Sequence, residues 1–151
     1  MAVLFALHVL SAVIWVGGMF FAYMALRPVA ASLLDAPTRL TLWAQVFQRF
    51  FPWVWLAVAL LAATGLWMIF GFFGGMAMVR WHVHGMLALG LVMMLIYMHV
   101  YFAPFRRRKM AVEAKQWQEG GTQLATIRKL IGVNLCLGLL VVIVATVGRY
   151  Y

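Results

Sequence analysis

Four histidines carry most of the chemistry this sequence offers: His8, His82, His84 and His99. Each lies in a stretch free of Asp, Glu, Lys and Arg. Ionisable side chains in such stretches usually face a bundle interior or a functional cavity, and neutral imidazole ligates metals. Helix geometry sorts them by depth. His8 lies six residues after Ala2 and His84 five after Val79, roughly 9 Å and roughly 7–8 Å along a helix. These two share a layer. His99 lies 15 residues beyond His84, roughly 22 Å further along. Residues two apart point about 160–200° away from each other, so His82 and His84 cannot both address one core site. The face through His84 continues with Leu87, Leu91, Leu95 and Met98, while His82 sits beside Trp81 and Arg80. His8 and His84 are therefore the expected core pair. Two imidazoles on facing helices at one depth suit the iron of haem b, protohaem IX.

Other residues can be placed around that pair. Arg80 and Arg149 fall at the level where haem propionates would emerge, although interfacial anchoring is an equally good role for them. The face of His8 runs through Leu4, Ser11, Trp15, Gly18 and Ala22. Gly18 either admits a flat macrocycle or serves close helix packing. Trp67 is expected near the same layer. A competing constellation is Met76, Met78, His82 and His84, whose thioethers and imidazoles suit Cu(I). Asn134 needs an interhelical partner. Tyr97, His99 and Tyr101 suit either interface anchoring or a substrate proton, with His99 the candidate catalytic residue on the side opposite the haem. The single cysteine, Cys136, excludes an intrachain disulfide and reads as a small packing residue. No triad, carboxylate pair or phosphate-binding loop is present, so hydrolase and kinase chemistry have no support.

The elements that must position these groups follow from composition. Of 151 residues, 67% are hydrophobic and 10% charged, with a mean hydropathy of +0.99. A soluble domain is about 45–50% apolar and about 25% charged. The chain is too short to hide that apolar surface from water, so its solvent is lipid. Stretches 2–26, 50–79, 81–105 and 130–148 lack charged residues, and each approaches the roughly 20 residues a membrane helix needs. The fold class is all-α: one transmembrane four-helix bundle over residues 1–151, with spans near 2–26, 52–75, 79–104 and 127–148. The first stretch lacks the basic start of a signal peptide.

The net charge is +9. Alternating spans put Arg27, Arg39, Arg49, Arg106, Arg107, Arg108, Lys109, Lys115, Arg128 and Lys129 on one side, against Arg80 and Arg149 on the other. By the positive-inside rule both termini lie outside and the basic loops in the cytoplasm, as in a multi-pass protein of a bacterial-type inner membrane. The charge thus reads as lipid anchoring, with Arg106–Lys109 on anionic headgroups, and excludes nucleic acid as partner. Helical extensions are expected on the cytoplasmic side. Asp35-Ala36-Pro37 starts one, lying in the interface or continuing the second span through a kink at Pro52. Residues 105–119 form another, with Gly120-Gly121 as its stop and Thr122 capping the last helix.

Two segments resemble known families. His8-Val9-Leu10-Ser11-Ala12-Val13-Ile14-Trp15-Val16-Gly17-Gly18, followed by Arg27-Pro28, is similar to the first helix of the CopD-like membrane proteins. It also resembles the HemJ-type protoporphyrinogen oxidases. The stretch Trp81-His82-Val83-His84 through Tyr97 and His99 looks like the corresponding HemJ stretch, with His84 where that family has Lys; Trp15-Val16-Gly17-Gly18 is the more CopD-like feature. The resemblance implies a four-helix membrane protein holding haem b at His8 and His84. The function expected is membrane redox, an oxidoreductase moving electrons between haem and a quinone or porphyrinogen. The alternatives are CopD-like copper transport or handling, and a structural or assembly subunit. Partners are lipid, the small redox molecule and other copies of the chain in a homo-oligomer.

Overall fold

The computed structural model describes residues 1–148, apart from the side chain of Arg108, together with Tyr150. Four helices follow one another: α1 (Ala2–Leu33), α2 (Ala36–Phe72), α3 (Trp81–Glu113) and α4 (Trp117–Val147). Each is long and apolar enough to cross a membrane, and no strand occurs among the described residues. The expected all-α bundle is what the chain forms. With 31–37 residues apiece, the helices exceed the roughly 20 that the hydrocarbon requires. The expected extensions are therefore continuations of the spans. The segment after Asp35 is the start of α2, which runs on through Pro52.

Local chemistry sets the ends. Asp35 is extended at the N-cap of α2 with Pro37 in the first turn, where a missing N–H costs nothing. α1 and α3 each contain a π-turn, Ala22–Leu26 ahead of Pro28 and Tyr101–Phe105 around Pro104. At these two sites the wider turn relieves the clash a proline makes with the carbonyl four residues back; α2 ends in a third π-turn, Met68–Phe72, with no proline beside it. The expected stop at Gly120-Gly121 is corrected: both glycines lie inside α4. The break comes at Ala114–Gln116, where Lys115 takes a positive φ of 56°. Its N–H bonds Val112 O at 3.1 Å and that of Gln116 bonds Ala111 O at 2.8 Å, the paired bonds of a Schellman stop. Gly120 serves packing instead. A Cβ there would lie 3.5 Å from Val112 and 3.7 Å from Leu40, so three helices converge on it.

The bundle has two ends: a basic end, with the α1–α2 and α3–α4 turns, and a terminal end, with the α2–α3 loop and both chain ends. α1 packs along α2 and α3 along α4, while α4 also touches α1 and α2. The half toward the basic end is filled by aromatic rings. Phe51 stacks on Phe47 at 5.2 Å and meets Phe105 edge-on at 4.7 Å and Tyr97 at 5.6 Å. Tyr97 also meets Trp55 at 5.2 Å and Trp15 of α1 at 6.1 Å. Edge-to-face pairs add about 0.5–1.5 kcal/mol each beyond area burial. This matters in lipid, where burial alone gives helices little reason to associate.

Candidate metal and ligand sites

His8 lies where α1 meets α2. Its Nδ1 is 2.8 Å from the Thr64 hydroxyl, which is itself 2.5 Å from Leu60 O. A threonine hydroxyl has one proton. Donated to the Leu60 carbonyl, it leaves Oγ1 to accept from His8, so the imidazole carries its proton on Nδ1. Nε2 then holds a lone pair, the arrangement of a metal-ligating histidine oriented by its other nitrogen. Gly65 makes room for the ring, since a Cβ there would lie 3.3 Å from His8 Cε1. The face expected to accompany His8 is indeed the inward one: Ser11 and Trp15 are buried.

On α3 the expected facing is reversed. His84 is exposed on an outward stripe with Ala88, Leu91, Leu95 and His99, Leu95 at 62% exposure. His82 is the half-buried one. Its Cβ abuts the Cα side of Gly148, and Gly85 next along that face lies against Val144. Small residues decide this face because they let α3 and α4 approach closely. Hydrophobicity does not, since the stripe turned to lipid is as apolar as the one turned inward. The structure therefore does not bring His84 to His8: one points away from the bundle, the other into the α1–α2 contact. His82, set aside from the sequence as interfacial, has a buried Nδ1 with no hydrogen-bond partner among the described residues. The signal that would have found it is the glycine at position 148.

The remaining candidates separate as well. Trp15 belongs to the aromatic core around Tyr97. Gly18 receives the ring of Phe50, whose Cε2 would be 2.6 Å from a Cβ there, which is the close-packing role of the two expected for it. Trp67 is 62% exposed. Arg80 is exposed at the start of α3, and Arg149 lies outside the described residues. Met76 and Met78 form a short 3-10 turn ahead of His82, the first half-buried and the second exposed. His99 is exposed near the basic end. Tyr97 is not an interface anchor but 4% exposed, its hydroxyl donating to Phe51 O at 3.0 Å. Cys136 is exposed, not a packing residue. Among the described residues, no three His, Cys, Asp or Glu side chains gather as a metal cage.

A cavity of about 250 Å³ lies in the half toward the basic end, walled by Trp15, Phe50, Phe51, Tyr97 and aliphatic side chains of all four helices. Its polar lining residue is Asn134, 3% exposed. The amide donates through Nδ2 to Met19 Sδ at 3.8 Å, a weak acceptor. Its Oδ1 is buried without a partner among the described residues.

Residues 44–147, more than two thirds of the chain, match the family model of CopD, copper resistance protein D. The chain belongs to the CopD family. No curated protein and no solved structure matches it. The CopD match spans Met76, Met78, His82, His84 and Asn134, and begins after His8, Trp15 and Gly18. It supports the CopD half of the resemblance and leaves the HemJ-type half unconfirmed. With four helices fit to span a bilayer, this CopD member is a multi-pass membrane protein.

Proposed function

We propose that the protein handles copper in the membrane, taking Cu(I) as its substrate at the terminal end of the bundle. The observation that carries this reading is His82 Nδ1, buried and unpartnered four residues after the thioether of Met78. A buried imidazole nitrogen without a hydrogen bond is costly in a finished core and suited to a soft metal. Met76, Met78 and His82 are the donor set; His84, on the opposite side of α3, stands apart from it. Membership of CopD supports copper as the metal. With both termini outside, as the basic split favours, the entry site faces the extracytoplasmic side.

Anaerobic titration of the purified protein with Cu(I), against a competing chelator, tests the reading. One equivalent is expected to bind. His82→Phe should abolish binding, and the paired change Met76→Leu with Met78→Leu should weaken it at little cost to the fold, because the volumes are similar. His84→Ala and His99→Ala should bind as the unaltered chain does. Unchanged binding in His82→Phe would sink this assignment.

A second reading, a b-type haem serving redox with a quinone or porphyrinogen, is favoured by the bare Nε2 of His8. His84 does not complete an axial pair with His8 inside one chain, so a haem on His8 alone should be high-spin. A low-spin spectrum lost in both His8→Ala and His84→Ala would restore the two-histidine clamp.

A further inference from the structure

We propose that the cavity beside Asn134 binds the ring of a membrane-soluble quinol, whose hydroxyl donates to Asn134 Oδ1. The cavity asks for particular chemistry. At about 250 Å³ it falls below the roughly 300–1,000 Å³ of pockets that enclose drug-sized ligands. One ring fits that space and a macrocycle does not. Its walls are the rings of Trp15, Phe50, Phe51 and Tyr97, which suit an aromatic face in offset or edge-on contact. The unmet group is an acceptor, Asn134 Oδ1, on a residue that lines the cavity, and an occupant bringing a donor would satisfy it.

Other occupants fail one of these requirements. A single water needs two to four polar partners and would leave most of a largely apolar cavity of about 250 Å³ unfilled. An acyl chain brings no donor. An amide oxygen and one thioether, Met19 Sδ, make a poor copper site, because soft metals are selected by several thioether, thiolate or imidazole ligands. A quinol carries a flat ring, a hydroxyl donor and an apolar tail. Phe21, which lines the cavity, is 62% exposed on the outside of α1. The tail therefore leaves toward lipid, and the ligand arrives from the bilayer.

Calorimetric titration of the detergent-solubilised protein with a decyl-chain 1,4-benzoquinol, corrected against protein-free micelles, tests the proposal. Saturable binding of one quinol per chain is expected. The dimethyl ether of the same quinol lacks the donor and should bind roughly ten- to hundredfold more weakly, the cost of leaving the amide oxygen unmet. Asn134→Leu should erase the difference between quinol and ether. Ala22→Phe, which fills the cavity from α1 and leaves Asn134 in place, should abolish binding; it decides the matter should Asn134→Leu lose its thermal unfolding transition. Cu(I) binding should persist in both variants, which separates this site from the one at His82. Equal binding of quinol and ether, equal binding of a long-chain alkanol, or no saturation above the micelle background would each overturn the proposal.

Discussion

At the scale of single residues, two glycines show how a missing Cβ assigns roles that residue type leaves open. Gly148 lets α4 close on His82 and so turns that imidazole inward, although the facing read from the sequence favours His84. Gly18 sits against the Phe50 ring and so belongs to packing. Gly18→Ala is expected to destabilise the protein by about 1–3 kcal/mol, the usual cost of overpacking. Adding Phe50→Ala should return part of that loss, a coupling that only residues in contact show. Thermal unfolding of the four proteins in one detergent would measure it, and strictly additive effects would remove the Phe50 contact from the account.

At the scale of elements, the stop between α3 and α4 is made by a residue poorly suited to it. Lys115 holds a left-handed conformation at φ 56°, which costs a residue with a Cβ roughly 1–2 kcal/mol. Lys115→Gly should stabilise the turn by up to about 1 kcal/mol, part of the relief being returned as unfolded-chain entropy. Lys115→Val should destabilise it. The denaturant midpoints of the two variants should move in opposite directions; a shared direction would mean that the side chain of Lys115 matters more than its φ. At the other basic-end turn, the Thr38 hydroxyl holds the Asp35 carboxyl below its ordinary range. A depressed carboxylate contributes above its unfolded pKa and loses that contribution as pH falls through the folded value. The first turn of α2 should accordingly exchange its amide protons faster, relative to their intrinsic rates, only on acidification below the ordinary carboxylate range.

At the scale of the whole molecule, the bundle divides along its length. The half toward the basic end is locked by rings, with Phe51 touching Phe47, Tyr97, Tyr101 and Phe105. The half toward the termini is held by small residues and carries His8 and His82. Aromatic rings thus wall the cavity, while His82 follows directly on the loop of Met76 and Met78. The same division orders the charge, and both termini are expected on the extracytoplasmic side. A periplasm-dependent reporter fused after Tyr151 should be active and a cytoplasm-dependent one silent. The reverse pattern would move the copper site to the other face of the membrane.

The sequence by itself determined the solvent, the number of helices and the start of α2, because these depend on summed apolarity and on the backbone habits of Asp and Pro. It also placed His8, Ser11 and Trp15 on an inward face and showed that Asn134 needs a partner. It did not determine which face of α3 looks inward, since lipid and protein interior are equally apolar and a pattern of Leu, Met and Val points nowhere. It did not place the stop after α3 either, because a glycine pair suits a tight helix contact as well as a break. The tertiary structure decided both. Close approach at Gly85, Gly120 and Gly148 fixed the rotation and register of α3 against α4, and with them which histidine is buried and which faces out.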